Sequence, residues 1–343
     1  MSTTRLTTPQ ELAEHRQRLA DRRAADRPCV SICAGAGCLA SGAGEVIAAF
    51  ETALAEQGLE ADVDTRGTGC PGFCERGPVV VLHPEGICYL KVKPEDVPEI
   101  VSQSLKDEQV VTRLLYEDPA TGERAVHESD IPFYRLQERT LLESNILIDS
   151  RSIDDYLAIG GYSALVKALF DMSPKELLEE VKKSQIRGRG GAGFPAGRKW
   201  EGSRNAPDDP KYEIVNAYEG DPGAFMDRAL LERTPHSILE GHVIGGYTIG
   251  ANEGYVSVRQ EYPLAVENLR IAIRAAEELG LLGENILGSG FDFKVIVHKG
   301  AGAFVCGEST ALMTSLEGRV GEPRPKYVRS NERGLWGKPS VLN

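Results

Sequence analysis

Six of the seven cysteines in this 343-residue sequence fall between Cys29 and Cys88, and four of the six form two pairs, Cys33-x4-Cys38 and Cys70-x3-Cys74. The first pair follows the strand-like run PCVSIC. The second lies in TGCPGFCERG, where Gly69, Pro71, Gly72 and Gly77 make a compact loop and the glycines let backbone N–H groups approach sulfur. Four thiolates fixed this closely are the usual holders of an iron–sulfur cluster. A structural zinc site uses the same donors, more often in knuckles of two-to-four-residue spacing. Buried, unligated cysteines are a third reading that spacing leaves open. Cys29 and Cys88 sit in strand-like contexts and read as packing residues, while Cys306 stands apart and fits either role.

A second chemistry is written in GRGGAGFPAGRKW, Gly188 to Trp200, with five glycines in ten residues and Arg187, Arg189, Arg198 and Lys199 around them. Backbone N–H groups freed by glycine, with cations beside them, suit a phosphate. The loop follows a helix, so it is not the usual dinucleotide fingerprint, and no Gly-Lys-Ser/Thr marks a P-loop. A solvent-exposed hinge is the competing reading. Two further segments, VNAYEGDPGAFMDR and GAGAFVCGESTAL, follow strand-like runs and share the mixture of glycine and charge. In open α/β sheets, ligands bind outside the carboxyl ends of the strands.

The elements that must position these loops follow from periodicity. PCVSIC is a strand, Gly44 to Gly58 a helix with Val46, Ile47, Phe50 and Leu54 on one face, Val79 to Leu82 a buried strand, CYLKV another, and Glu95 to Leu105 a closing helix. The order β-α-β-β-β-α suits a small α/β sandwich. Residues 1–27 read as an amphipathic helix or a disordered arm, and residues 106–172 as a helical connecting region. Ser173, Pro174 and Glu176 form the start signal of a helix, ELLEEVKKSQI. Beyond the glycine loop, YEIVNA, GYVSV and FDFKVIVH read as strands. They alternate with the helices RALLERTPHSILEGHVIGGYTIG, PLAVENLRIAIRAAEELGLLG and ESTALMTSLEG, which predicts an α/β layered domain with a mostly parallel sheet.

Bulk properties exclude some classes. A formal net charge of −12 argues against a general nucleic-acid binder. No run approaches the roughly 18–20 apolar residues of a transmembrane helix, and the polar N-terminus lacks the apolar core of a secretory signal. These features lead to the expectation of a cytoplasmic protein.

The C-x4-C … C-x3-C arrangement on its β-α-β-β-β-α frame resembles the thioredoxin-like [2Fe-2S] ferredoxin domain, over residues 28–105. The three glycine-rich loops resemble the FMN- and NADH-binding flavoprotein subunit of respiratory complex I. They are closer still to its relatives in NAD(P)-linked and electron-bifurcating [FeFe]-hydrogenases and in formate dehydrogenases, which carry the same N-terminal domain. This resemblance covers residues 28–343. It implies a Rossmann-like α/β FMN-binding domain over 173–343, and a subunit passing electrons between NAD(H) or NADP(H), FMN and iron–sulfur clusters beside other redox subunits of a hydrogenase-, formate dehydrogenase- or reductase-type complex.

By the same resemblance, Cys33, Cys38, Cys70 and Cys74 hold the [2Fe-2S] cluster. Gly188, Arg189, Gly190, Gly191 and Lys199 hold the FMN, with Phe194 an aromatic surface for the nucleotide. Asn216, Glu219 and Asp221 belong to the second loop and Gly307 and Glu308 to the third, while Asn343 matches an asparagine that reaches the flavin. No catalytic residue is implied, since hydride chemistry takes place on the flavin, with Glu219 and Glu308 nearby. The chain departs from the family at Tyr218, in place of an Asp, at Ser309, in place of a Glu, at Gly202, and at Tyr327-Val328-Arg329-Ser330, in place of Pro-Pro-Phe-Pro. Those departures motivate two alternatives: an FMN/Fe–S electron-transfer subunit that does not use NAD(P)H, and a non-catalytic assembly subunit with a decayed flavin site. The family continues with a β-grasp domain and a [4Fe-4S] domain, absent here, and the sequence is expected to be a piece of a longer chain.

Overall fold

The computed structural model describes residues 5–24, 27–221, 223–325 and 327–343; the rest of the expected N-terminal arm lies outside the described residues. The chain divides into two units. One comprises Arg18–Ala158 with Glu232–Thr234, the other the segments up to Gln17, Ile159–Leu231 and Pro235–Asn343.

The cysteine-bearing unit is built on a four-stranded sheet of order β2-β1-β3-β4, with β1 Cys29–Cys33, β2 Asp64–Thr68, β3 Val80–His83 and β4 Ile87–Tyr89. β1 runs parallel to β2 and antiparallel to β3. The helix Ala43–Glu56 makes the β1–β2 crossover that parallel strands require. It buries Val46, Phe50, Ala53 and Leu54 against the sheet, so the expected apolar face holds, with Ile47 at its margin. Full burial of a side chain such as Phe50 contributes about 1.5–3 kcal/mol. β2 is the strand that the expected β-α-β-β-β-α order counts but to which the sequence reading assigned no residues. Its residues, Asp-Thr-Arg-Gly-Thr, show no apolar run, and four of the five are only half-buried. Cys88 is fully buried in β4, a packing residue as expected. Val97–Ile100 and the wider turn Val101–Lys106 close the frame. Residues 107–158 contain a two-stranded ribbon, β5 Tyr116–Glu117 with β6 Arg124–Ala125, and short helical turns.

The second unit holds a sheet in which every pair is parallel, of order β10-β7-β8-β9: β7 Tyr212–Ala217, β8 Glu253–Arg259, β9 Lys294–Gly300 and β10 Ser340–Leu342. The helices Pro235–Ile249, Pro263–Leu279 and Ser309–Leu316 make the crossovers. Three details depart from the sequence reading. The run expected as one helix from Arg228 is two, Asp227–Arg233 and Pro235–Ile249, because Pro235 lacks the N–H a continuous helix needs. β9 starts three residues later than FDFKVIVH and ends at Gly300. The terminal Ser-Val-Leu is a strand that pairs with β7.

Among the described residues, no helix is long and apolar enough to cross a membrane.

Candidate functional site

Both cysteine pairs follow the carboxyl ends of adjacent parallel strands. Register pairs Cys33, the last residue of β1, with Thr68, the last of β2, two residues before Cys70. Cys38 lies in the short helix Ala36–Ala40 and Cys74 opens the single turn Cys74–Arg76. Cys33, Cys38 and Cys70 are buried and Cys74 is exposed. The Cys70 and Cys74 sulfurs are 3.4 Å apart.

Glycine makes this convergence possible. A Cβ on Gly77 would stand 2.5 Å from Cys38 Sγ, one on Gly35 2.6 Å from Cys70 Cβ, and one on Gly37 3.2 Å from Cys74 Sγ. Gly72, at φ +99°, turns its N–H onto Cys70 Sγ at 3.2 Å. The thiols act on one another. Hydrogen bonds from Cys33 and Cys74 hold Cys70 well below the usual thiol range, while those from Cys38 and Cys70 push Cys33 up. Such a set favours shared negative charge, the chemistry of soft metal ligation. Cys29 and Cys88 stand outside it, with thiols pushed up by burial.

In the second unit, the loops after β7, β8 and β9 leave the carboxyl edge of one parallel sheet, where Asn343 follows β10. The glycine loop is pinched at its base: Arg187 bridges Pro195, and the Gly188 N–H donates to the Phe194 carbonyl at 2.9 Å. Gly191 (φ +109°) and Gly193 (φ +59°) turn the chain within it. From Arg189 to Phe194, no backbone N–H donates to a backbone carbonyl among the described residues, which leaves a run of donors on an exposed loop. Phe194 is 44% exposed. The loop delivers the chain into the helix Ala196–Arg204, whose Lys199 is half-buried, donates to the Leu342 carbonyl, and is shifted down by burial.

The other loops are tied to the same edge. Asn216, near the end of β7, donates to the Gly307 carbonyl at 3.0 Å. Asn343 accepts from the Trp200 indole at 3.1 Å and donates to buried Glu213 at 2.6 Å. The carboxylates expected near a flavin are engaged locally. Glu219 accepts from the Met226 N–H at 2.6 Å and the Arg228 N–H at 2.8 Å. Glu308 caps the helix Ser309–Leu316, accepting from Thr310 and Ala311 N–H, and also accepts from the Ser309 hydroxyl. Asp221 is exposed and accepts from the Gly223 N–H. Tyr218 does not stand in the mouth of the loops. It is 3% exposed, its ring lies against Gly300, and its hydroxyl accepts from the Gly302 N–H at 2.7 Å.

Sequence reasoning missed Arg259 and Tyr262. Arg259 donates to the Gly220 carbonyl at 2.7 Å and to Gly302 at 3.1 Å, and Tyr262 donates to Glu219 at 2.7 Å, so the β8 end clamps the loops on either side. Their place after a third parallel strand was the available signal. Phe225, Met226 and Phe304 stay exposed around these loops, Phe304 at 76%.

Two known families match parts of the chain. Residues 19–105 match the thioredoxin-like [2Fe-2S] ferredoxin family and residues 181–339 the Nuo51 FMN-binding domain. The chain is 55% identical over 192 residues to an NADH-quinone oxidoreductase subunit of Aquifex aeolicus, covering 56% of this chain and 45% of that protein. It is 55% identical over 196 residues to the NADP-reducing hydrogenase subunit HndC of Solidesulfovibrio fructosivorans, covering 57% and 40%. Thus the chain spans less than half the length of these curated relatives. The crystal structure of the thioredoxin-like [2Fe-2S] ferredoxin from Aquifex aeolicus aligns at 35% identity over 27% of this chain and all of that one, with a TM-score of 0.26.

Proposed function

We propose, for a chain that belongs to the family of FMN-binding flavoprotein subunits carrying an N-terminal thioredoxin-like [2Fe-2S] ferredoxin domain, that it is the diaphorase-type module of a multisubunit redox complex. Electrons pass in it between a nicotinamide nucleotide, FMN and the [2Fe-2S] cluster. Division of labour follows the sequence: residues 28–105 carry the cluster, residues 106–172 connect, and residues 173–343 carry the flavin and nucleotide. Cofactors supply the hydride and one-electron chemistry; the protein supplies placement and electrostatics.

The observation that carries this reading is the convergence of loops at the carboxyl edge of one parallel sheet, with the Asn216–Gly307 bond tying the loop after β9 to the end of β7. Cys33, Cys38, Cys70 and Cys74 hold the cluster, in a cradle that only glycine at 35 and 77 permits. Gly188, Arg189, Gly190 and Gly191 offer N–H groups and a cation to the FMN phosphate, and Lys199 adds a second cation. Phe194 gives a face for the nucleotide ring. Asn216, Gly307 and Asn343 set the depth of the flavin pocket. Glu219, Glu308 and Asp221 act through the backbone turns they hold. The relatives support redox partner subunits of the hydrogenase or reductase type, and the resemblance of the loops adds the formate dehydrogenase type.

The test is anaerobic addition of NADH or NADPH to the flavin-loaded full-length complex. Bleaching of the flavin absorbance with either nucleotide supports the proposal. A flavin that neither nucleotide bleaches, but that a reduced ferredoxin does, assigns the chain instead to nucleotide-independent electron transfer. Failure to take up FMN on reconstitution assigns it to assembly alone.

A further inference from the structure

Arg233 ends the helix Asp227–Arg233, and Glu232–Thr234 belong to the unit that carries the four cysteines. Its residue is 5% exposed, although its head is a permanent cation, and its Nε has no hydrogen-bond partner. The side-chain stem lies on the cysteine loop. A Cβ added to Gly69, the residue before Cys70, would stand 2.9 Å from Arg233 Cβ, 3.0 Å from its Cγ and 2.8 Å from the Asn145 carbonyl oxygen. Asn145 is 1% exposed, and neither its Oδ1 nor its Nδ2 has a partner. Two buried polar side chains with unmet hydrogen-bonding capacity therefore flank one ligand loop.

A buried cation is costly unless negative charge compensates it. The stem of this one lies beside Gly69, the residue before Cys70, so the cation is held next to a loop that the thiolates of a bound cluster would charge negatively. A cluster on four thiolates carries net negative charge, and adding an electron makes it more negative. A fixed cation in a low-dielectric setting stabilises the reduced state more than the oxidised one.

We propose that Arg233 is a positioning residue of the [2Fe-2S] centre, whose buried guanidinium raises the cluster's reduction potential and backs the Cys70 loop. This rests on the cluster assignment made above. The sequence conceals it: Arg233 lies far along the chain from the cysteines, at the end of a helix that breaks at Thr234 before Pro235 opens the next.

The experiment is an EPR-monitored dithionite titration of the full chain with its cluster, comparing wild type, Arg233→Gln and Arg233→Lys. Iron and sulfide content and the visible spectrum serve as structural readouts. Loss of the charge in Arg233→Gln is expected to shift the reduction equilibrium at least tenfold toward the oxidised cluster, which is 59 mV for a one-electron couple. Arg233→Lys, with its charge set back on a different stem, is expected to shift it by only part of that. Equal potentials in all three, with the cluster intact, overturn the inference. If Arg233→Gln fails to load iron, a second neutral variant, Arg233→Met, is titrated in its place: a potential below wild type supports the inference and an unchanged one overturns it. Absence of any [2Fe-2S] signal in the wild-type protein is a different failure, that of the cluster assignment.

Discussion

The Asn216 side-chain amide donates to the Gly307 carbonyl across 3.0 Å, which joins the end of β7 to the loop after β9. A hydrogen bond of this kind contributes about 1 kcal/mol net. Asn216→Ala leaves the loop after β9 free to move from the end of β7, and FMN binding should weaken about fivefold. Flavin fluorescence quenching on titration measures it. An unchanged dissociation constant would mean that the loops hold their spacing without this bond.

Lys199 is expected to serve the phosphate rather than the ring. Lys199→Met should therefore weaken FMN more than riboflavin, and bring the two affinities closer together. Calorimetry with both ligands reads the ratio. Equal losses for both would place the ammonium at the ring or in the scaffold, where it already donates to the Leu342 carbonyl.

The cysteines divide into two groups that one substitution each can separate. Cys70→Ser should abolish the visible and EPR signals of a [2Fe-2S] centre. Cys88→Ser should keep them while lowering stability by about 1–3 kcal/mol, the cost of a hydroxyl buried in an apolar strand. Iron and sulfide analysis with a denaturant titration distinguishes the outcomes. A Cys88→Ser protein without iron would contradict the ligand assignment.

Stability should fall on mild acidification, with His236 as one source. Burial lowers His236 to about 3, so the folded protein keeps the ring neutral, with Tyr162 Oη 2.9 Å from Nδ1. In the unfolded chain the ring titrates near 6.5. Between those values the unfolded state binds the extra proton, so this contribution is intact above pH 6.5 and is lost as pH falls toward 3. His236→Asn should flatten that part of the profile in chemical denaturation between pH 7.5 and 5. A slope identical to wild type would assign the acid sensitivity elsewhere.

Tyr218 occupies a position where the resembling family carries aspartate, yet its ring is buried against Gly300 and its hydroxyl receives the Gly302 N–H. Tyr218→Phe should cost about 1 kcal/mol through that lost bond. Tyr218→Asp puts a carboxylate into the same space and should cost about 3 kcal/mol or more, beyond any gain in nucleotide affinity. Thermal unfolding of the two variants checks the order; an aspartate variant as stable as the phenylalanine one would show that the site opens to solvent.

Much of this was legible because local signals agreed with tertiary needs. Ser173 and Glu176 form the reciprocal capping box their spacing announces, and β7 spans the six residues of the YEIVNA run. The pairing of Cys33-x4-Cys38 with Cys70-x3-Cys74 became meaningful only with β2, which its polar sequence conceals; its place is secured by parallel pairing to β1. The three residues of β10 are too few for a periodic signal, and what makes them a strand is the open edge of β7. Arg259 and Tyr262 were illegible for another reason. Their role is to hold carbonyl groups of distant loops, and no local pattern encodes that.

The end-to-end register of β1 with β2 sets an order for maturation. Cys33 and Cys70 are neighbours only after the two strands have paired, so the sheet must close before four sulfurs face one another. On the cluster assignment proposed above, metal insertion reads out completed tertiary structure, and a chain halted before that closure presents scattered thiols to oxidants instead of a ligand set.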